Sequence, residues 1–306
     1  MKNKIVDCFT FFNELDLLEI RLKYLYDTLD YFVIVEADQT FSGENKSYVL
    51  EEHWERFRPY HPKMVYVQLK MKSFEAKRKV AWKREEYKRN GIRKGIERLE
   101  LNKNDLILIG DIDEIPNKEV LKQSDQIIHS KKADFFKILK SIVRLPFSSH
   151  KLLTLKVLFF TLFRGHKSPM VFKMGFFYYF MNYKKTQVNW NGTVFVNFKL
   201  FKKLSPEKIR RLRGKTNKQI QNAGWHFSYL GGKEQIKKKL KGFSHQEFNI
   251  PEIVNDQYID FCIQNGYSLI DFFEKKIKST RFVKHDLTLF PEDFRAIISH
   301  YKQLIC

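Results

Sequence analysis

Cysteine is scarce. The 306 residues contain three, Cys8, Cys262 and Cys306, odd in number and without metal-ligand spacing. That argues against a disulfide framework or a cysteine-ligated zinc site and for a reducing, cytoplasmic setting. No apolar run approaches the roughly 20 residues that a membrane-spanning helix needs. The first residues, MKNKIVDCFTFF, have too short an apolar stretch for a secretory signal and carry Asp7, so they are expected to form a first strand. Acid is missing over a long interval: from Phe135 to Pro206 there is no Asp or Glu, while Lys and Arg recur. Neither an internal repeat nor a low-complexity tract beyond lysine clusters is present.

Basic residues are plentiful: 56 Lys and Arg against 35 Asp and Glu give a formal net charge of +21. Such a balance favours anionic partners, whether nucleic acid, an anionic membrane or phosphate-bearing substrates. Within the acid-free interval, Leu152 to Phe163 and Met170 to Met181 are apolar and aromatic. Because a soluble surface normally mixes both signs, region 135–206 is expected to meet an anionic membrane surface, peripherally and at its inner face. The alternative is that the apolar runs are core strands and the basic residues solvated. Hydrophobic residues at 43%, with 29 Phe and 14 Tyr, suffice for a large aromatic core and could also stack on bases or sugars.

The strongest local signal is Asp105 to Pro116, DLILIGDIDEIP. A short apolar run ends in Gly110, then presents Asp111, Asp113 and Glu114 before Pro116. This pattern predicts a buried strand delivering carboxylates at its carboxyl end, where ligands of open α/β sheets bind. If the strand continued, its period of two would put Asp111 and Asp113 on one side, able to share a hard cation such as Mn²⁺ or Mg²⁺. Asp-x-Asp phosphatases place a similar pair after an apolar strand, but near the amino terminus and followed by Thr or Val; here Glu114 and Ile115 follow.

Around this stretch the chain alternates between strand and helix patterns. Ile5 to Phe12 and Tyr31 to Val35 read as strands, joined by a helix with Leu15, Leu18, Leu22, Leu25 and Leu29 on one stripe. Met64 to Leu69, Asp134 to Leu139 and Val194 to Leu200 are further strand candidates. A long helix is expected from Phe74 to Leu101, its core stripe made of Trp82, Arg89, Ile92, Ile96 and Leu99. Arg89 on that stripe must be paired or must meet a ligand. Ser205, Pro206 and Glu207 start another helix. A segment through Trp225 and His226 ends at Gly231 and Gly232, and from there the chain is helical in pattern. The expected fold is α/β, with a mostly parallel central sheet flanked by helices: a catalytic domain over residues 1–248 and a helical annex over 249–306.

Five segments in order, IVDCFTFFNELDLLEIRL, DYFVIVEA, YKRNGIRKGI, LILIGDIDEIP and NAGWHFSYLGG, resemble glycosyltransferase family 17, which includes the enzyme that adds bisecting N-acetylglucosamine to N-glycans and many bacterial proteins. The resemblance implies a GT-A type fold, a UDP-sugar donor, with a lean to N-acetylglucosamine, and a divalent metal at Asp111 and Asp113 completed by His226. It places Asn13, Glu36, Arg89 and Asp111 against the donor nucleotide. Eukaryotic members carry an amino-terminal membrane anchor, and none is read here. The acceptor is therefore expected to be some glycan or lipid-linked glycan, with a cell-surface glycan built on a lipid carrier as the natural candidate.

The family's reaction inverts the anomeric centre and needs a general base. Glu247 is the preferred candidate, since it follows the metal-ligand candidate His226, and Glu114 is the second. Trp190 is the candidate sugar-stacking contact for the acceptor. A non-catalytic basic module binding nucleic acid or anionic lipid stands as the alternative class. It would leave the strand-end carboxylates without a task, and no specific nucleic acid is expected.

Overall fold

The computed structural model describes residues 2–74, 80–123, 155, 169–216, 218–274 and 281–306. Among them one sheet runs through the molecule in the order β3-β2-β1-β4-β7-β6-β9-β5, with β10 added to β7 and β8 to β6. The first half is parallel: β1 (Ile5–Thr10) lies between β2 (Tyr31–Ala37) and β4 (Leu106–Asp111), and β3 (Met64–Leu69) flanks β2. These are continuous apolar runs because both faces are covered. On one face Phe9, Phe32, Ile34, Leu106 and Leu108 pack with α1 (Leu15–Leu25). On the other, Val6, Cys8, Val33, Val35, Ile107 and Ile109 pack with Ile92 and Ile96.

The second half corrects the expectation of a mostly parallel sheet, because the sheet is mixed. β6 (Met170–Tyr178) and β7 (Tyr183–Asn197) are joined by a short turn, which can connect only antiparallel neighbours. β7 also runs antiparallel to β4, and β5 (Glu114–Pro116) antiparallel to β9 (Gly224–Ser228). Only β9 and the two-residue β8 (Gln219–Ile220) restore parallel pairing, both on β6.

α2 (Val49–Glu52) follows β2. The long basic helix divides into α3 (Val80–Asn90) and α4 (Ile92–Ile96), with Phe74 outside it. The join is at Gly91, and Gly95 brings α4 close to β2: a Cβ there would stand 2.4 Å from Val33. Trp82 is 41% exposed rather than in the core. Arg89 is buried, as its position on the stripe requires.

α5 (Lys118–Lys122) follows β5, capped by the Asn117 side chain. α6 (Phe198–Phe201) is capped by Asn197, and α7 (Pro206–Arg210) by Ser205 with Pro206 in its first turn. α8 (Gly232–Gly242) opens on Gly231, whose φ of 92° suits glycine.

Residues 249–306 contain α9 (Asp256–Asn265), α10 (Leu269–Phe273) and α11 (Glu292–Ile298). They also return β10 (Phe282–Lys284) to the sheet, and Phe294 stacks on Trp225 in the main core at 4.5 Å. The strand expected at 134–139 and the apolar run 152–163 lie outside the described residues, save Leu155. The described apolar run from Met170 is core: Met170, Val171, Phe172, Met174 and Phe177 are buried. Among the described residues no helix is long and apolar enough to cross a membrane.

Candidate active site

β4 ends at Asp111, and a turn at Ile112 and Asp113 leads into β5. The strand does not continue through the Asp-x-Asp pair, so the two carboxylates meet different partners. The turn is held from below by Arg21 on α1. Its guanidinium is wholly buried, pairs with Asp7 of β1 at 2.8 Å, and donates to the carbonyls of Asp111 and Ile112 at 2.7 and 2.9 Å.

Asp111 faces α3 and α7. Its Oδ1 accepts from Arg89 at 3.0 Å and its Oδ2 from Arg210 at 2.6 Å. Arg89 also pairs with Glu207 at 2.5 Å and Glu85 at 2.7 Å, and Arg210 with Glu114 at 2.5 Å. Burial opposes ionisation of Asp111, but Arg210, then Arg89 and Arg213, outweigh it and hold the carboxyl far below its ordinary range.

Asp113 faces α8 and β9. Its Oδ2 accepts from Lys239 at 2.8 Å, and its Oδ1 stands 3.5 Å from Nε2 of His226. Burial again opposes the charge, and Lys239 followed by His226 overcomes it, leaving the pKa well below the carboxylate norm. The His226 ring stacks on Trp190 at 4.4 Å and Phe176 at 5.2 Å, and its Nδ1 is buried without a partner among the described residues.

A cleft opens beside Asp113, lined among others by Asn13, Glu14, Asp16, Gly231, Gln235 and Lys239. Asn13 donates to Gln235 at 3.1 Å. Glu14 accepts the backbone N–H groups of Phe12 and Asn13 on Oε2, and no bond engages its Oε1 among the described residues. The amino-terminal end of the eleven-residue α8 borders the cleft through Gly231, a favourable position for an anion.

The other expected site residues fall as follows. Glu36 is buried and committed: Lys46, Tyr66 and the backbone N–H groups of Val49 and Leu50 all donate to it. Glu114 is buried between Arg210, Trp190 and Thr193, with Trp190 donating at 2.7 Å. Glu247 is exposed, and its side chain meets His245 at 2.8 Å. Trp190 is half-buried beside the site.

Arg21, Arg210, Lys239, Glu14 and Gln235 were not singled out from sequence. Arg21 and Lys239 carried a signal, since each lies beside the apolar stripe of its helix, Lys239 between Ile236 and Leu240. For Arg210, on a five-residue helix distant in sequence from Asp111, there was none.

For a divalent cation, Asp113 and His226 offer a carboxylate oxygen and an imidazole nitrogen close together, and the unpartnered Nδ1 leaves the ring's tautomer free to suit a ligand. This donor pair fits Mn²⁺ or Mg²⁺ if substrate oxygens and water complete the shell. Asp111 fits less well, because two guanidiniums already take its two oxygens. Among the described residues no cluster of three or more His, Cys, Asp or Glu side chains could hold a metal.

Compared with known families, residues 1–138 match the model for glycosyltransferase family 17. No curated protein matches the chain.

Proposed function

The chain belongs to glycosyltransferase family 17 through its first 138 residues and is a glycosyltransferase, and from that premise we propose a metal-dependent, inverting transfer of N-acetylglucosamine from UDP to a glycan or lipid-linked glycan. The observation that carries this reading is the cleft at the carboxyl ends of β1 and β4. There Asp113, Lys239, Asn13, Gln235 and the start of α8 surround one opening.

In this reading the diphosphate lies by α8, where Lys239 and the helix amino terminus offset its negative charge. Mn²⁺ or Mg²⁺ held by Asp113 and His226 would supply Lewis-acid neutralisation of the leaving group. The amides of Asn13 and Gln235 suit the hydrogen-bonding edge of the uracil or the sugar hydroxyls. The acceptor oxygen bonds to the anomeric carbon while the bond from that carbon to the phosphate oxygen breaks, and the electron pair leaves on the diphosphate.

The acceptor proton needs a carboxylate with an uncommitted oxygen in the cleft. Glu14 meets that condition better than Glu114, which is saturated, or Glu247, which pairs with His245 at the surface. Asp111 acts at one remove, fixing Arg89 and Arg210 beside the turn.

Replacing Asp113 with Ala in protein shown by circular dichroism to be folded, and measuring Mn²⁺-dependent turnover across a panel of UDP-sugars, tests the proposal. A loss of at least about 100-fold is expected, on the scale of removing a key electrostatic group. Unchanged turnover would remove the metal site from the reading.

A further inference from the structure

Arg213 stands apart from the other arginines near the site. Arg89, Arg210 and Arg211 are each paired with one or more carboxylates. Arg213 makes no hydrogen bond or ion pair among the described residues, and its guanidinium carbon stands 5.3 Å from the centre of the Trp190 ring. Its nearest carboxylates are already taken: Glu114 by Arg210 and Trp190, Asp111 by Arg210 and Arg89.

Other unsatisfied groups gather at the same place. Among the described residues Arg210 Nε is buried without a hydrogen-bond partner, and so is Nδ1 of His226, stacked on Trp190. Buried polar atoms are rarely left so, and each such atom calls for an explanation. A half-buried indole beside a free guanidinium has a specific chemistry. The half-buried ring, already stacked on His226 and Phe176, keeps part of its apolar surface for a sugar, and the planar fork of N–H donors matches a carboxylate or phosphate.

Neither Trp190 nor Arg213 lines the cleft of Asp113. The two places are nonetheless adjacent, because His226 touches both Asp113 and Trp190. A sugar held beside Trp190 would thus lie next to a substrate in the Asp113 cleft, the proximity a transfer reaction needs.

We propose that Trp190 and Arg213 form a second subsite that receives an acidic sugar, the indole taking the ring and the guanidinium its anionic group. The assignment of that sugar to the acceptor rests on the glycosyltransferase reading. Burial, then the neighbouring Arg210, lowers the pKa of Arg213, a penalty that a bound anion relieves.

Saturation-transfer NMR on the full chain, titrated separately with glucuronate, glucose, and UDP with Mn²⁺, tests this. Glucuronate is expected to bind roughly 10-fold or more tightly than glucose, the scale of hydrogen bonds to a charged group. Arg213→Gln should erase that preference and leave UDP affinity within about twofold on the same scale of comparison, while Arg213→Lys, checked by its melting curve, should keep part of it. Equal binding of glucuronate and glucose by the native protein would overturn the proposal. So would a matching loss of UDP affinity in Arg213→Gln, which would assign Arg213 to the donor diphosphate. Failure of the native protein to bind UDP, with the glucuronate preference intact, would defeat the donor reading and leave the subsite standing.

Discussion

One guanidinium nitrogen of Arg210 lies 2.5 Å from Oε1 of Glu114, in a place where the carboxylate is fully buried and the arginine side chain 3% exposed. The same nitrogen reaches Asp111 at 2.6 Å, so a short helix far along the chain neutralises charge on two successive strands. Removing one partner of such a pair leaves an uncompensated buried charge. Arg210→Ala should therefore destabilise the protein by roughly 3–5 kcal/mol, read from urea unfolding. A change under about 1 kcal/mol, the range of exposed pairs, would mean that water reaches these groups.

Glu14 and Glu247 make opposite predictions about the base. Glu14→Gln should lower kcat by roughly 100-fold or more, with a smaller change in KM, as expected for loss of general-base catalysis. Glu247→Gln should change kcat by less than about twofold on that scale. The reverse pattern in steady-state kinetics would move the base to Glu247.

Acid should unfold the protein partly through Asp113. Its folded pKa is depressed by Lys239 and His226 against the opposing effect of burial. A carboxylate of this kind stabilises the fold above its unfolded value of about 3.9, and that contribution is lost as pH falls through the folded value. Denaturation midpoints measured from pH 6 downward should fall below about pH 4, and Asp113→Asn should flatten this limb. An unaltered acid limb in the variant would show that the Lys239 contact contributes nothing.

Gly95 tests the packing of α4 on the sheet. Alanine is the better helix former by about 1 kcal/mol, yet its Cβ would stand 2.4 Å from Val33 and 3.0 Å from Val67. Overpacking of this kind costs roughly 1–3 kcal/mol, so Gly95→Ala should destabilise, or at best leave stability unchanged, in thermal melts. A gain would show that β2 yields easily.

What could be read from sequence was what is local. α1 announces itself by periodicity, β1, β2 and β4 by short continuous apolar runs, and the acidic turn after β4 by Gly110 and Pro116. The charge on the stripe at Arg89 likewise required a partner, and Asp111, Glu85 and Glu207 supply it. The mixed second half of the sheet was hidden, because β9 reaches β5 and β6 only through pairings remote in sequence. The divergence of Asp111 and Asp113 was hidden for a related reason. It depends on where β4 stops, which Arg21 decides from another helix by holding the turn carbonyls.

The pairing of β5 with β9 puts Glu114 opposite His226 and Ile115 opposite Trp225. Gly224 closes the ladder at φ +148°, where a Cβ would lie 2.2 Å from the carbonyl oxygen of Ile115. Sliding β5 by a single residue would trade an imidazole for an indole beside the acidic turn and reverse which side chains face inward. The identity of the group next to Asp113 is thus a counting property of two short strands. Activity should accordingly vanish together with this pairing, in one step, rather than fade as the site loosens.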